Sequence, residues 1–182
     1  MKSTPKNTSI GINVTTKHTI SKIENFLTEE EFIHINSLVG DANFPWTLQT
    51  SYPGGNTLTH GFLQSIANLE YPLYIQISDK IVKSFNLQEY TLGRAYYNGQ
   101  WFSRDGNFHY DDGKKTVLIY MSDWDREWGG FTHFMPKDND HIIIPPITNS
   151  AVCFDANIPH KAYSFSHQHT PMRISLAFKY YD

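Results

Sequence analysis

A mainly β fold with a helical buttress, a sandwich or jelly roll, is what this sequence predicts, and three observations predict it. Its 182 residues are 15% aromatic, with 11 Tyr, 12 Phe and 4 Trp, and such side chains suit pleated, half-buried surfaces better than helix bundles. From residue 90 onward, short β-branched or aromatic runs recur at 90–97, 116–121, 141–144, 151–154 and 172–180, separated by Gly, Pro, Asn or Asp. Two stretches with helical spacing precede them, so helices stand before the strands instead of alternating with them.

An apolar fraction of 40% over this length supports one core, and two domains would be cramped. Residues 1–182 are therefore read as a single domain: 1–9 a flexible tail, 10–88 an N-terminal helical support, and 89–182 the jelly-roll core. The tail holds Lys, Ser, Thr, Asn and Pro with almost nothing to bury. Alternation at Ile10, Ile12 and Val14, then Ile20 and Ile23, reads as short early strands. Thr28-Glu29-Glu30-Glu31 is a capping box, since the Thr28 hydroxyl can accept from the Glu31 amide while Glu31 reaches back. Phe32, Ile35 and Leu38 continue at helical spacing until Gly40 stops them.

Residues 41–69 are turn-rich, punctuated by Phe44-Pro45-Trp46 and Tyr52-Pro53-Gly54-Gly55, and read as a connection or as a loop covering a pocket. Leu73, Ile75, Ile77, Ile81, Val82 and Phe85 mark a second helix of mixed periodicity that packs on a sheet. No internal repeat is present.

Net charge is −3, and the 15 Lys and Arg are scattered. A phosphate backbone is bound by clustered cations, so no nucleic-acid partner is expected. The single cysteine, Cys153, lies among Ala151, Val152 and Phe154 and reads as a packing residue. The polar stretch Met1 to Ile10 lacks the apolar core of a secretory signal, and no later run reaches membrane-span length, which predicts a cytoplasmic protein with no membrane partner.

Chemistry concentrates around Asn107-Phe108-His109-Tyr110-Asp111-Asp112. On one strand, His109 and Asp111 would point the same way. With His160 they would make two imidazoles and a carboxylate, the facial triad of non-haem Fe(II) oxygenases. The spacing by itself is weak, because chance supplies a His-x-Asp in about every second chain of this composition. Taken singly, His160 reads as a turn histidine, Arg173 as a surface cation and Tyr120 as a core aromatic.

Their joint order reads differently. Phe108-His109-Tyr110-Asp111, Ile119-Tyr120-Met121-Ser122-Asp123-Trp124, Trp128-Gly129-Gly130-Phe131-Thr132, Phe154-Asp155-Ala156-Asn157-Ile158-Pro159-His160 and Arg173-Ile174-Ser175-Leu176-Ala177-Phe178 follow one another in sequence. This succession resembles the Fe(II)- and 2-oxoglutarate-dependent dioxygenases, in particular their prolyl-4-hydroxylase-like branch, through most of 90–182. More weakly, Ile23-Glu24-Asn25-Phe26-Leu27-Thr28 resembles the family's approach to its first helix.

The resemblance implies a double-stranded β-helix, a distorted cupin-like jelly roll, with Fe(II) held by His109, Asp111 and His160. It implies 2-oxoglutarate and O2 as co-substrates, with ascorbate as an accessory. Arg173 would take the remote carboxylate of 2-oxoglutarate, for which a planar guanidinium gives a bidentate match. Ser175, two residues on, would share its strand face. Tyr120 matches the family tyrosine that reaches the same carboxylate, and Thr132 is a further polar lining residue. An Ala or Gly in place of Asp111 would suggest a halogenase, whereas Asp111 argues for hydroxylation.

The implied reaction converts 2-oxoglutarate to succinate and CO2 while hydroxylating an unactivated C–H, with a prolyl or similar residue in a polypeptide as the first substrate. A small-molecule hydroxylase acting on an amino acid or sugar is the alternative, and a non-catalytic jelly-roll binding module the third reading. Substrate contacts would come from Tyr110, Arg104, Trp124 and Trp128, with Trp46, Tyr52, Asp112 and Arg126 also at the mouth. Lys179 stands where animal oxygen-sensing prolyl hydroxylases carry a Trp near the substrate. His133, His141, His167 and His169 take no role, and Ser166-His167-Gln168-His169 reads as an exposed loop.

Overall fold

The computed structural model describes residues 20–49, 62–136, 140–166 and 171–182. The expected tail, the alternation at Ile10, Ile12 and Val14, and Tyr52, His167 and His169 lie outside these residues.

The chain enters through β1 (Ile20–Ile23) and buries Phe26 and Leu27 before α1 (Glu29–Val39). The capping box forms as read: Thr28 Oγ1 accepts from the Glu31 amide at 3.2 Å, and the Glu31 carboxylate accepts from the Thr28 amide at 2.7 Å. Two otherwise orphaned donors are thereby satisfied. In α2 (Pro72–Phe85), Pro72 stands where a missing amide costs nothing. Its buried side chains are Tyr74, Ile77, Ser78 and Ile81, a regular three-four stripe. The mixed periodicity in the sequence comes from Ile75, which is 50% exposed.

The strands are β2 (Thr47–Gln49), β3 (Phe62–Ile66), β4 (Thr91–Gln100), β5 (Lys115–Tyr120), β6 (Thr132–Phe134), β7 (Ile142–Ile144), β8 (Ala151–Asp155), β9 (His160–Ala162) and β10 (Arg173–Tyr181). A seven-stranded antiparallel sheet runs β1-β8-β5-β10-β4-β3-β2, and a three-stranded one runs β7-β6-β9. The architecture is mainly β with two helices, consistent with a jelly roll. The 41–69 stretch contributes β2 and β3, paired onto β4, so 10–88 supplies sheet as well as helix. Neither strand is readable from the sequence, because both are short and set among turn formers. The three-residue β6 and β9 escape for the same reason.

Each face of the large sheet has its own core. On one, Val117, Ile119, Leu176, Phe178, Tyr97 and Cys153 pack with Ile35, Ile77 and Ile81 of the helices. The Tyr74 and Tyr97 hydroxyls meet at 2.8 Å, and Ser78 meets the Tyr180 hydroxyl at 3.0 Å, tying α2 to the sheet. Each fully buried aliphatic side chain there contributes about 1.5–3 kcal/mol. Cys153 is one of these packing residues, and burial pushes its thiol up to about 12. On the other face, Tyr120, Val152 and Phe154 pack against Phe134, Ile144 and Ile158. Strand alternation gives this second face Arg173, Ser175, Ala177 and Lys179 of β10, in register with Gln100, Tyr120, Leu118 and Thr116 of the flanking strands.

Candidate active site

His109 and Asp111 do not share a regular strand, contrary to the sequence expectation. Ser103 at φ 61 and Gly113 at φ 86 bound the extended run, and only an isolated bridge remains. There the His109 amide donates to the His160 carbonyl and the His160 amide to the His109 carbonyl, each at 3.0 Å. The Asp111 amide donates to Ala156 O at 2.9 Å. Extended backbone at the bridge preserves what the strand was expected to supply, with His109 and Asp111 facing the same way.

The ligand atoms of His109, Asp111 and His160 lie within 4.8 Å of one another. His109 Nε2 is 3.7 Å from Asp111 Oδ1, and His160 Nε2 is 3.4 Å from Asp111 Oδ2. The Nδ1 atoms contact Asn107 O and Ile158 O, each at 2.9 Å. A carbonyl only accepts, so Nδ1 carries a proton in both rings and Nε2 is the atom that each turns toward the site. His160 is buried against Phe134 and Phe154. Burial pushes its pKa down to about 4, against the pull of Asp111, which keeps the imidazole neutral. Burial alone would raise the Asp111 carboxyl, but Lys179, His160 and His109 more than offset it and hold it well below the carboxylate range. Two imidazole nitrogens and one carboxylate oxygen converging in this way fit a divalent first-row metal.

Two further residues hold Asp111. Its Oδ2 accepts from Thr116 Oγ1 at 2.7 Å and pairs with Lys179 Nζ, which also donates to Thr116 Oγ1 at 3.0 Å. Lys179 is 1% exposed; burial pushes its pKa down while Asp111 pulls the other way. Analogy sets Lys179 at the substrate position and misses its tie to Asp111. The signal for that tie is present in the sequence, because Arg173, Ser175 and Lys179 fall on one face of β10 by alternation.

Arg173, 3% exposed, is brought together with Thr132 and Tyr120. Its Nε donates to Gly130 O at 2.8 Å, Nη2 to Thr132 Oγ1 at 3.0 Å and Nη1 to Gln100 Oε1 at 3.4 Å. The guanidinium lies 5.4 Å from the Tyr120 ring centroid, and the Tyr120 hydroxyl meets Thr132 Oγ1 at 2.7 Å. Ser175 is buried, opposite Tyr120 in the β10–β5 register. Among the described residues no carboxylate pairs with Arg173, and burial pushes its pKa down. A buried cation with no carboxylate beside it is costly to keep charged, and the carbonyl, amide and hydroxyl oxygens around it offset part of that cost.

The expected substrate residues are more dispersed. Tyr110 is 58% exposed beside the triad, and Arg104 is exposed. Trp124 Nε1 donates to Gly129 O at 2.8 Å within its own loop, and Trp128 packs edge-on to Phe165, tying that loop to the segment after β9. Asp112 is held by Arg94 at 2.5 Å and the Tyr181 hydroxyl at 2.6 Å, and Trp46 joins the helix-side core with Phe44. Arg126 is exposed on a one-turn 3-10 helix, Arg126–Trp128. His133 Nε2 meets His141 Nδ1 at 2.7 Å, and the His133 ring packs edge-on to Phe108.

No family model and no curated protein matches the chain. Its fold recurs among solved structures. A Trichoplax adhaerens prolyl hydroxylase, solved with a hypoxia inducible factor oxygen degradation domain peptide fragment, is similar over 90% of this chain and 83% of that one, at TM-score 0.70 and 18% identity. A Pseudomonas putida prolyl-4-hydroxylase is similar over 91% and 94%, at 0.66 and 14%. The epimerase SnoN, solved with Fe3+, alpha ketoglutarate and nogalamycin RO, is similar over 90% and 78%, at 0.67 and 13%. The chain thus has the fold of prolyl hydroxylases and other 2-oxoglutarate/Fe(II) oxygenases. Within that fold, His109, Asp111 and His160 form a set that could hold a metal ion.

Proposed function

We propose that this protein is an Fe(II)- and 2-oxoglutarate-dependent dioxygenase of the prolyl-4-hydroxylase-like branch, hydroxylating a prolyl or similar residue of a polypeptide. The observation that carries the reading is Arg173, a buried guanidinium without a carboxylate partner among the described residues, on the β10 face that also carries Lys179 beside Asp111.

Iron and 2-oxoglutarate, when bound, supply the oxidation, with succinate and CO2 as co-products. The chain's own residues prepare it. His109 and His160 present their Nε2 atoms, because Asn107 O and Ile158 O engage Nδ1 of each ring. Asp111 offers an anionic oxygen while Thr116 and Lys179 restrain it. Arg173 receives the remote carboxylate of 2-oxoglutarate, with the Thr132 and Tyr120 hydroxyls beside it and Ser175 as a further donor. Phe134 and Phe154 exclude water around His160, which strengthens the electrostatics of the site. Exposed Tyr110 and Phe108 flank His109 and supply apolar contact for a polypeptide. We assign the reaction to the cytoplasm, with ascorbate sustaining the enzyme.

A second reading, a small-molecule hydroxylase with the same site, draws support from Lys179 where the animal prolyl hydroxylases carry a Trp. Purified protein given Fe(II), ascorbate and 2-oxoglutarate should release succinate, and mass spectrometry should find one added oxygen in a prolyl peptide. Oxygen added only to a free amino acid or sugar moves the assignment to the second reading. Absence of succinate and of any 2-oxoglutarate affinity would leave a non-catalytic jelly-roll module.

A further inference from the structure

Lys179 places a full positive charge against the one anionic group of a site that fits a cation. We propose that Lys179 sets the net charge of this site, so that the three-residue set holds a divalent metal loosely and exchangeably. The proposal rests on the reading of His109, Asp111 and His160 as metal ligands.

Three features lead to it. The ammonium is enclosed, paired with Asp111, bonded to Thr116 Oγ1 at 3.0 Å and 5.8 Å from the Tyr96 ring centroid. Both rings turn Nδ1 to a carbonyl and so offer Nε2 to an ion, and Asp111 is the only carboxylate of the three ligands. The neighbouring Arg94 and Asp112 cancel each other in their own ion pair. Asp111 and Lys179 therefore sum to zero, and an entering divalent ion meets a neutral pocket where the bare triad would offer a negative one. In a water-poor site a fixed charge acts strongly on a cation held by its partner.

Thr116 separates charge from orientation. Its hydroxyl hydrogen goes to Asp111 Oδ2 while its oxygen accepts from Lys179. Neutralising Lys179 removes the opposing charge and leaves the Thr116 donor. Removing Thr116 loses the donor and leaves the charge.

The test is calorimetric titration of Mn(II) into metal-free protein. Lys179→Met keeps the apolar stem, and Lys179→Gln keeps a neutral donor. Both variants should bind Mn(II) about tenfold or more tightly than wild type, whereas Thr116→Val should bind it more weakly. In melting experiments metal-free Lys179→Met should unfold at a lower temperature than wild type, with Mn(II) restoring more than it restores to wild type. A purely structural lysine would give variants with unchanged or weaker Mn(II) affinity, and that result overturns the proposal. If wild type itself binds no Mn(II), the proposal and the metal-site reading fall together. If wild type binds and the variants gain nothing, only the proposal falls.

Discussion

Replacing Arg173 should separate cofactor affinity from stability. The guanidinium donates to Gly130 O at 2.8 Å and to Thr132 Oγ1 at 3.0 Å, with Gln100 Oε1 further off at 3.4 Å. In Arg173→Lys one ammonium keeps the charge but cannot form two parallel bonds to a carboxylate. Losing one charge-assisted hydrogen bond costs about 1.5–3 kcal/mol, which corresponds to a rise of roughly ten- to hundredfold in the 2-oxoglutarate Kd. Arg173→Met loses both bonds and the charge, and the rise should exceed about a hundredfold. Stability should move much less. Met orphans Gly130 O, at about 1–3 kcal/mol, while Thr132 Oγ1 keeps the Tyr120 hydroxyl; it also removes a buried cation that has no carboxylate partner among the described residues, and the two effects oppose. The assay is titration of 2-oxoglutarate into Mn(II)-loaded protein, alongside thermal melting without ligand. Arg173→Met that binds 2-oxoglutarate as wild type does would refute the assigned role. A parallel loss of Mn(II) affinity would show that Arg173 acts on the triad instead.

Acid should weaken the metal-free protein through His160. Its folded pKa is pushed down to about 4 by burial, below the ordinary value of 6.5. The unfolded chain therefore takes up this proton first as pH falls, and stability present above pH 6.5 is lost on the way down to about pH 4. The full effect is at most about 3 kcal/mol, and melting across this range checks it; His160→Gln should flatten the slope. Gly130→Ala should damage fold and cofactor binding together. Gly130 sits at φ +76, and an added Cβ would lie 2.4 Å from the Phe165 ring. A loss of about 2 kcal/mol or more is expected from denaturant melts, with weaker 2-oxoglutarate binding, because Gly130 O anchors Arg173 Nε.

Features with a local physical signature are legible in the amino-acid sequence. Thr28 and Glu31 announce their cap by identity and spacing, and the alternation through 172–180 places Arg173 and Ser175 on one face. The positions of His109, Asp111, His160 and Arg173 in order along the chain point to one site, and the triad does converge. What stays hidden depends on partners distant in sequence. A polar strand residue looks the same whether it faces in or out, so Gln100 beneath Arg173 and Thr116 beneath Asp111 give no sign. β3 pairs with β4 and β2 with β3, and composition does not report such pairing. The reduction of the 107–112 strand to a single bridge to His160 likewise has no local signature.

The reciprocal hydrogen bonds between His109 and His160 also bear on how the molecule assembles. They join two chain positions far apart in sequence and belong to the meeting of the small sheet with the crossing segment after β4. Closing so long a loop is an entropic expense that local contacts cannot offset early in folding. The His109–His160 bridge is therefore expected to form only when the two sheets have docked, and an ion held by this set should bind after that step. Metal uptake during refolding becomes a clock for the last step of assembly.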